Sequence, residues 1–189
     1  MAAPDFVPVP DLSKYLTSDN LAKLADGDIV KENIMEKDAA GNDKGRGVAL
    51  IMIDAPPDKV MAALDSFETY PSWMPNTKQT KVVKREGNRV DVEFELSIVG
   101  SQVTYTCIHE VNKDAGTVRW RMDDAKPKKN VADSVGAWVV KAHGDGKSIV
   151  AYTVAVDTGM SVPKFIQNWL TNTSLKKVVK SVRDKVEGK

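Results

Sequence analysis

The residues that could do chemistry are few and scattered. His109 and His143 are the only histidines and Cys107 the only cysteine in 189 residues. Two lone imidazoles make a poor metal site, and one thiol excludes an internal disulfide and any multi-cysteine metal site. Neither histidine has a nucleophile-elbow serine or cysteine near it. Cys107 alternates with Val103 and Tyr105, which reads as a buried, inert thiol; an activated one would need a base and an electropositive setting. Asp123-Asp124 reads as the end of a strand, and Gly144-Asp145-Gly146-Lys147 as a hairpin turn, since no helix follows to make a phosphate loop. The cluster Lys126, Lys128 and Lys129 reads as a solvated loop, with anionic lipid as the alternative. The one acid/base pair that can be nominated is His109 with Tyr105, and this reading places the two on different faces of their strand.

What such a chain does instead depends on the elements that position its large apolar side chains. Residues 47–70, GVALIMIDAPPDKVMAALDSFETY, give the clearest of them. Val48 to Ile53 is an uncharged apolar run, as a buried strand shows. Pro56-Pro57 stops it, because proline donates no ladder hydrogen bond and biases its predecessor toward extended geometry. Val60, Met61, Leu64 and Phe67 then recur at helical spacing. A proline-bracketed aromatic loop follows at residues 70–75.

Further strands are expected at 77–85, 89–98, 102–111, 117–122, 133–142 and 148–156, joined by Gly/Asn/Asp turns in an antiparallel meander. Alternation gives the sheet an inside. Val90, Val92, Phe94, Leu96 and Ile98 alternate with Arg89, Asp91, Glu93, Glu95 and Ser97, which should face water. Val118, Trp120 and Met122 continue the apolar face, as do Tyr152, Val154 and Val156. Before residue 45 lie an extended arm (1–10), a short helical patch (11–25) whose apolar members are Leu12, Tyr15, Leu16, Leu21 and Leu24, an edge strand at 29–36 and a turn at 40–43.

A long helix closes the chain, capped by Ser161 with Pro163 in its first turn. Over residues 161–187 it could run roughly 39 Å at about 1.5 Å per residue. Leu175, Val178, Val179, Val182 and Val186 make one stripe. Val162, Phe165, Ile166, Trp169 and Leu170 make another, nearly opposite on a straight helix. A straight helix therefore points Lys164, Asn168, Thr171 and Asn172 into whatever it packs against, where they need hydrogen-bond partners. A kink at 171–174 is the alternative and turns both stripes inward. If the helix is straight, Phe165, Ile166, Trp169 and Leu170 need a cover, and the N-terminal segment is expected to pack there or beside a cavity mouth.

These pieces resemble the START-related lipid-transfer superfamily, the helix-grip fold shared with polyketide cyclases, coenzyme-Q-binding proteins and pollen-allergen-like proteins. The resemblance is carried by IDAPPDKVMAALDSFETYPSWMP, by Gly136-Ala137-Trp138, by DGKSIVAYTVAVDTG, and by VPKFIQNWL followed by SLKKVVKSVRDKV. It spans about residues 47–187 and implies an α+β fold. In that fold a curved antiparallel sheet of about seven strands wraps a long C-terminal helix around a tunnel for a hydrophobic ligand. The chain then divides into an N-terminal extension (1–45) and a START-like ligand-binding domain (46–189).

Composition agrees with a globular binder: 42% hydrophobic and 28% charged residues, with 27 Lys plus Arg against 26 Asp plus Glu. That balance argues against a nucleic-acid partner. The leading expectation is non-enzymatic binding or transport of a lipid, sterol, quinone or polyketide-like compound in a cavity of roughly 300–1,000 Å³. Phe94, Leu96, Tyr105, Trp120, Trp138 and Tyr152 would line it. Trp73 and Met74 would sit at its mouth, and Asn168, Thr171 and Asn172 would meet a polar group. No cofactor and no metal ion is expected. An aromatase/cyclase-type enzyme is the second reading, and a partner-binding module with a filled core the third. Transient membrane contact is a further expected partner, and the oligomeric state stays open. The start Met1-Ala2-Ala3-Pro4-Asp5, followed by a proline-rich arm, favours an exported or periplasmic protein over a cytoplasmic one.

Overall fold

The computed structural model describes residues 6, 8–37, 43–98, 100–157 and 173–189. A 3-10 turn (Leu12–Lys14) and helix α1 (Ser18–Ala25) precede strands β1 (Val30–Lys37) and β2 (Asp43–Ile53). Helix α2 (Pro57–Asp65) and a 3-10 segment (Phe67–Ser72) lead into β3 (Thr77–Glu86), β4 (Arg89–Ile98) and β5 (Ser101–Asn112). Strands β6 (Thr117–Met122), β7 (Asp133–His143) and β8 (Lys147–Asp157) follow, and then helix α3 (Thr173–Glu187).

All strands join one antiparallel sheet in the order β1-β2-β8-β7-β6-β5-β4-β3. The meander from β3 to β8 closes because β8 returns to pair with β2. The sheet has eight strands rather than about seven. The extra one is β1, which zips along β2 from Val30↔Leu50 to Lys37↔Asp43. The turn at 40–42 lies outside the described residues, as do the helix start at Ser161 and Pro163, the stripe Phe165, Ile166, Trp169 and Leu170, and so the choice between a straight and a kinked closing helix.

Local chemistry sets the helices. Pro57 opens α2, where its missing N–H costs nothing and its fixed φ suits the first turn. Thr17 Oγ1 caps α1 by accepting from Asn20 N at 3.3 Å. Helix α3 buries Leu175, Val179 and Val182 against α2 and β2. Gly47 leaves room for this contact: a Cβ there would stand 2.7 Å from Leu175 Cδ1, which would have to shift. The far end of α3 is tied down where Glu187 Oε1 accepts from Asp54 N at 2.9 Å.

The uninterrupted apolar run of β2 is explained by burial on both faces. Ala49, Ile51 and Ile53 face the inner core with α2 and α3. Val48, Leu50 and Met52 face outward, under Leu12, Tyr15 and Leu24, together with Val139, Ile149 and Ala151. The N-terminal segment is expected over the closing helix or beside a cavity mouth; Leu12, Tyr15, Leu16, Leu21 and Leu24 instead pack on the back of the sheet, while Gly27 O accepts from Arg183 of the closing helix at 3.0 Å and the helix patch Phe165, Ile166, Trp169 and Leu170 lies outside the described residues. The physical reason is that an apolar outer face on β2, β7 and β8 needs its own cover. Replacing Leu24 by Ala should cost about 2 kcal/mol, the low end for a buried leucine, because an eight-residue helix can settle onto the gap. A urea titration of the two proteins checks this.

One further surface reading changes, while the lysine-rich loop stays exposed as expected. Asp91 is buried rather than wet; Arg89 clamps it through Nε at 2.8 Å and Nη2 at 3.0 Å. The lysine-rich loop folds back along β5: Lys129 N donates to Thr104 O at 2.8 Å, Lys128 Nζ donates to Asp124 Oδ1 at 2.9 Å, and Lys129 Nζ to Gln102 Oε1 at 3.3 Å.

Candidate functional site

The concave face of β4 to β8, the 3-10 segment before β3, and α3 enclose a cavity of about 120 Å³. That is smaller than the roughly 300–1,000 Å³ expected of a drug-sized site. The difference is ring volume, since the same aromatic side chains that promised a cavity occupy much of it. It is still roughly eight to twelve times the ~10–15 Å³ that one water needs.

Of the residues singled out from the sequence, Met74, Phe94, Leu96, Tyr105, Trp120, Trp138 and Tyr152 line this space. Trp73 does not line it. It packs on Tyr70 with centroids 4.9 Å apart and donates from Nε1 to Thr69 Oγ1 at 2.9 Å. Asn168, Thr171 and Asn172 lie outside the described residues. Sequence reasoning missed Phe67, Tyr70, Cys107, His109 and Ser134, all in the lining. For two of these the signal was plain: Cys107 and His109 stand two and four residues after Tyr105, and a strand's side-chain period of two puts all three on one face. The placement of Tyr105 and His109 on different faces is therefore corrected; both look into the cavity.

The walls are paired rings. Phe94 stacks on Tyr105 (5.5 Å, 19° between planes), and Trp120 on Tyr152 (5.6 Å, 19°). Trp138 leans on Tyr152 at 4.4 Å. Trp120 can lie flat only because Gly136 is opposite it on β7. A Cβ at Gly136 would stand 2.3 Å from Trp120 Cζ2 and 2.3 Å from Thr153 O. Replacing Gly136 by Ala should therefore cost about 1–3 kcal/mol as the indole is driven off its rotamer. Near-ultraviolet circular dichroism and urea unfolding would both register it, and adding Trp120→Leu should recover part of the loss.

The cavity is electrically quiet. Among the described residues its lining includes no Asp, Glu, Lys or Arg. His109, 5% exposed, donates from Nδ1 to Val90 O at 3.2 Å, which fixes the tautomer with a free lone pair on Nε2. Burial lowers its pKa from 6.5 to about 4, partly offset by the carbonyls of Val90 and Cys107, so it is neutral near pH 7. Burial likewise pushes the Cys107 thiol and the hydroxyls of Tyr70, Tyr105 and Tyr152 up, keeping all four protonated. Tyr70 Oη donates to Leu64 O at 2.6 Å, and Trp120 Nε1 to Ser134 Oγ at 3.3 Å. No group of three or more metal-ligating side chains occurs among the described residues, and no helix there is long and apolar enough to cross a membrane. Such a site can hold apolar matter and exchange a few neutral hydrogen bonds; a protonated thiol in it is a poor nucleophile.

Comparison with known proteins agrees on the architecture. A family model described as polyketide cyclase / dehydrase and lipid transport matches residues 47–187. Among solved structures, the Zhui aromatase/cyclase from Streptomyces is 12% identical, with a TM-score of 0.67 over 84% of this chain and 94% of that one. A STAR-related lipid transfer protein from Xanthomonas axonopodis is 19% identical, with a TM-score of 0.67 over 82% of this chain and 98% of that one. The human StarD13 lipid transfer and protein localization domain is 15% identical, with a TM-score of 0.62 over 95% of this chain and 98% of that one. At these identities the structural likeness shows the fold alone. No curated protein matches the sequence.

Proposed function

The chain belongs to the polyketide cyclase / dehydrase and lipid transport family, and from that premise we propose that it binds or carries a hydrophobic small molecule without transforming it. The observation that carries this reading is an aromatic-walled cavity with no ionised group in its lining among the described residues. Apolar surface drives binding in such a site, and the few polar atoms orient what enters. Of a lipid, a sterol, a quinone or a polyketide-like compound, the small volume favours the compact, ring-containing candidates over a long acyl chain. In this reading residues 46–189 form the binding domain and residues 1–45 an extension that braces it. Trp73 and Met74 stand at the mouth, and Asn168, Thr171 and Asn172 serve the ligand's polar group. The test is organic extraction of the purified protein followed by mass spectrometry, with tryptophan fluorescence titrations of neutral apolar probes. An apolar compound in the extract, or saturable quenching, supports the reading. Protein that emerges empty and ignores every apolar probe overturns it.

A second reading, an aromatase/cyclase-type enzyme, gains from finding Tyr105 and His109 on the same cavity face. Against it stands the environment: an imidazole with a pKa near 4 is a weak base, and the buried phenols are weak acids. The two readings part on whether a bound compound is recovered unchanged after prolonged incubation.

A further inference from the structure

Three features of the cavity constrain what can occupy it. The first is shape. The stacked pairs Phe94–Tyr105 and Trp120–Tyr152 present flat walls, and about 120 Å³ admits a small ring system. The second is charge. Among the described residues a carboxylate drawn into this lining would meet no cation, and an unpaired buried charge is strongly disfavoured. The third is an unmet acceptor. Val90 O fixes the proton on Nδ1 of His109, so Nε2 carries a lone pair, and no donor within the described residues bonds to it. Backbone carbonyls nearby cannot donate to Nε2. The hydroxyls of Tyr105 and Tyr152, both in the lining, also have no hydrogen-bond partner among the described residues.

We propose that the cavity selects a neutral, flat aromatic compound bearing a hydroxyl group, with that hydroxyl donating to Nε2 of His109, and that it rejects carboxylates of the same size. This rests on the reading of the cavity as a hydrophobic-ligand site and sharpens it to a chemical class. Pairing the buried acceptor is worth about tenfold in affinity over a ligand that fills the space but has no donor. His109 acts here by recognition, as a neutral acceptor, and no proton transfer is involved.

The experiment uses the full chain at pH 7 and four probes: naphthalene, 2-methoxynaphthalene, 2-naphthol and 2-naphthoate, titrated by tryptophan fluorescence. The expected result is that 2-naphthol binds about tenfold tighter than 2-methoxynaphthalene, with 2-naphthoate weakest of all. His109→Phe should bring 2-naphthol down to the level of 2-methoxynaphthalene, erasing the tenfold gap between the two. A measurement that needs no change at His109 guards against a variant that fails to fold. Only two histidines exist, so nitrogen-15 resonances of a His143→Gln protein report His109 alone. Its Nε2 signal should move with 2-naphthol and stay with naphthalene. If 2-methoxynaphthalene matches 2-naphthol, if 2-naphthoate binds best, or if the Nε2 signal ignores 2-naphthol, the hydroxyl selection is overturned while hydrophobic binding stands. If none of the four probes binds, the hydrophobic-ligand reading of this cavity falls with it.

Discussion

Replacing Trp120 by Ala should lower the unfolding free energy by about 3–5 kcal/mol, the range for truncating a large buried aromatic. Trp120 is 7% exposed and sits at the crossing point of the cavity wall. Its indole stacks on Tyr152, faces His109 at 6.5 Å, and donates to Ser134 Oγ at 3.3 Å. Truncation removes that ring contact area and leaves Ser134 Oγ without its donor. Phenylalanine keeps one ring in the stack and loses the hydrogen bond and part of the contact area, so Trp120→Phe should cost less. The cavity should grow in the alanine variant, shifting its preference toward bulkier neutral aromatics. Urea unfolding of the three proteins, paired with titration of a two-ring and a three-ring probe, measures both effects. An alanine variant with an unchanged unfolding midpoint would mean the indole is not packed as described.

The elements that carry the fold were written locally. Proline 56 and 57 had to end a strand, and the apolar run before them had to be buried. The alternation in β4 placed Val90, Val92, Leu96 and Ile98 inward, and all four are buried there. The same run held a consequence that local reading let pass. Alternating side chains of β2 that are all apolar require cover on two faces, and Val48, Leu50 and Met52 obtain theirs from Leu12, Tyr15 and Leu24. The partner of an outward face is chosen by tertiary fit, which periodicity does not encode. Asp91 is a similar case. A lone acid on a strand reads as wet, yet Arg89, two residues earlier on the same face, folds over it.

The candidate site was legible as a class of side chain and not as a volume. Six of the aromatic and aliphatic residues expected inside the grip do line the cavity. Its size is a small difference between the space enclosed by the sheet and the space its rings occupy, and composition fixes neither quantity. The sequence reading set His109 on the strand face opposite Tyr105. Strand parity counted from Tyr105 contradicts that, and Glu110 instead pairs with Arg119 on the outside. A buried histidine also carries a thermodynamic signature that neither its spacing nor its neighbours announce.

That signature should appear as acid sensitivity in an unusual window. Burial depresses the His109 pKa from 6.5 in the unfolded chain to about 4 in the folded protein. Between those two values the unfolded state binds a proton that the folded state does not, so stability rises with pH across the interval. The contribution is fully present above pH 6.5 and is lost as pH falls toward 4. At about 1.4 kcal/mol per pK unit the loss comes to about 3 kcal/mol. The rings of Phe67, Phe94 and Trp120 around the imidazole would welcome a cation to a degree. Asp91 also favours the charged form, yet desolvation is the larger effect. The phenols and the thiol that share the cavity stay protonated throughout this range and add no slope. Asp11 and Asp54, whose carboxyls are held below their ordinary 3.8 by Ser13 and Lys147, act only at lower pH. Urea unfolding at pH 7 and pH 4.5 should therefore show a large drop for the wild type and for His143→Gln, and a much smaller one for His109→Phe. Equal slopes in the His109 variant and the wild type would show that the imidazole is not held neutral by the fold, and the lone pair on which hydroxyl recognition depends would lose its footing.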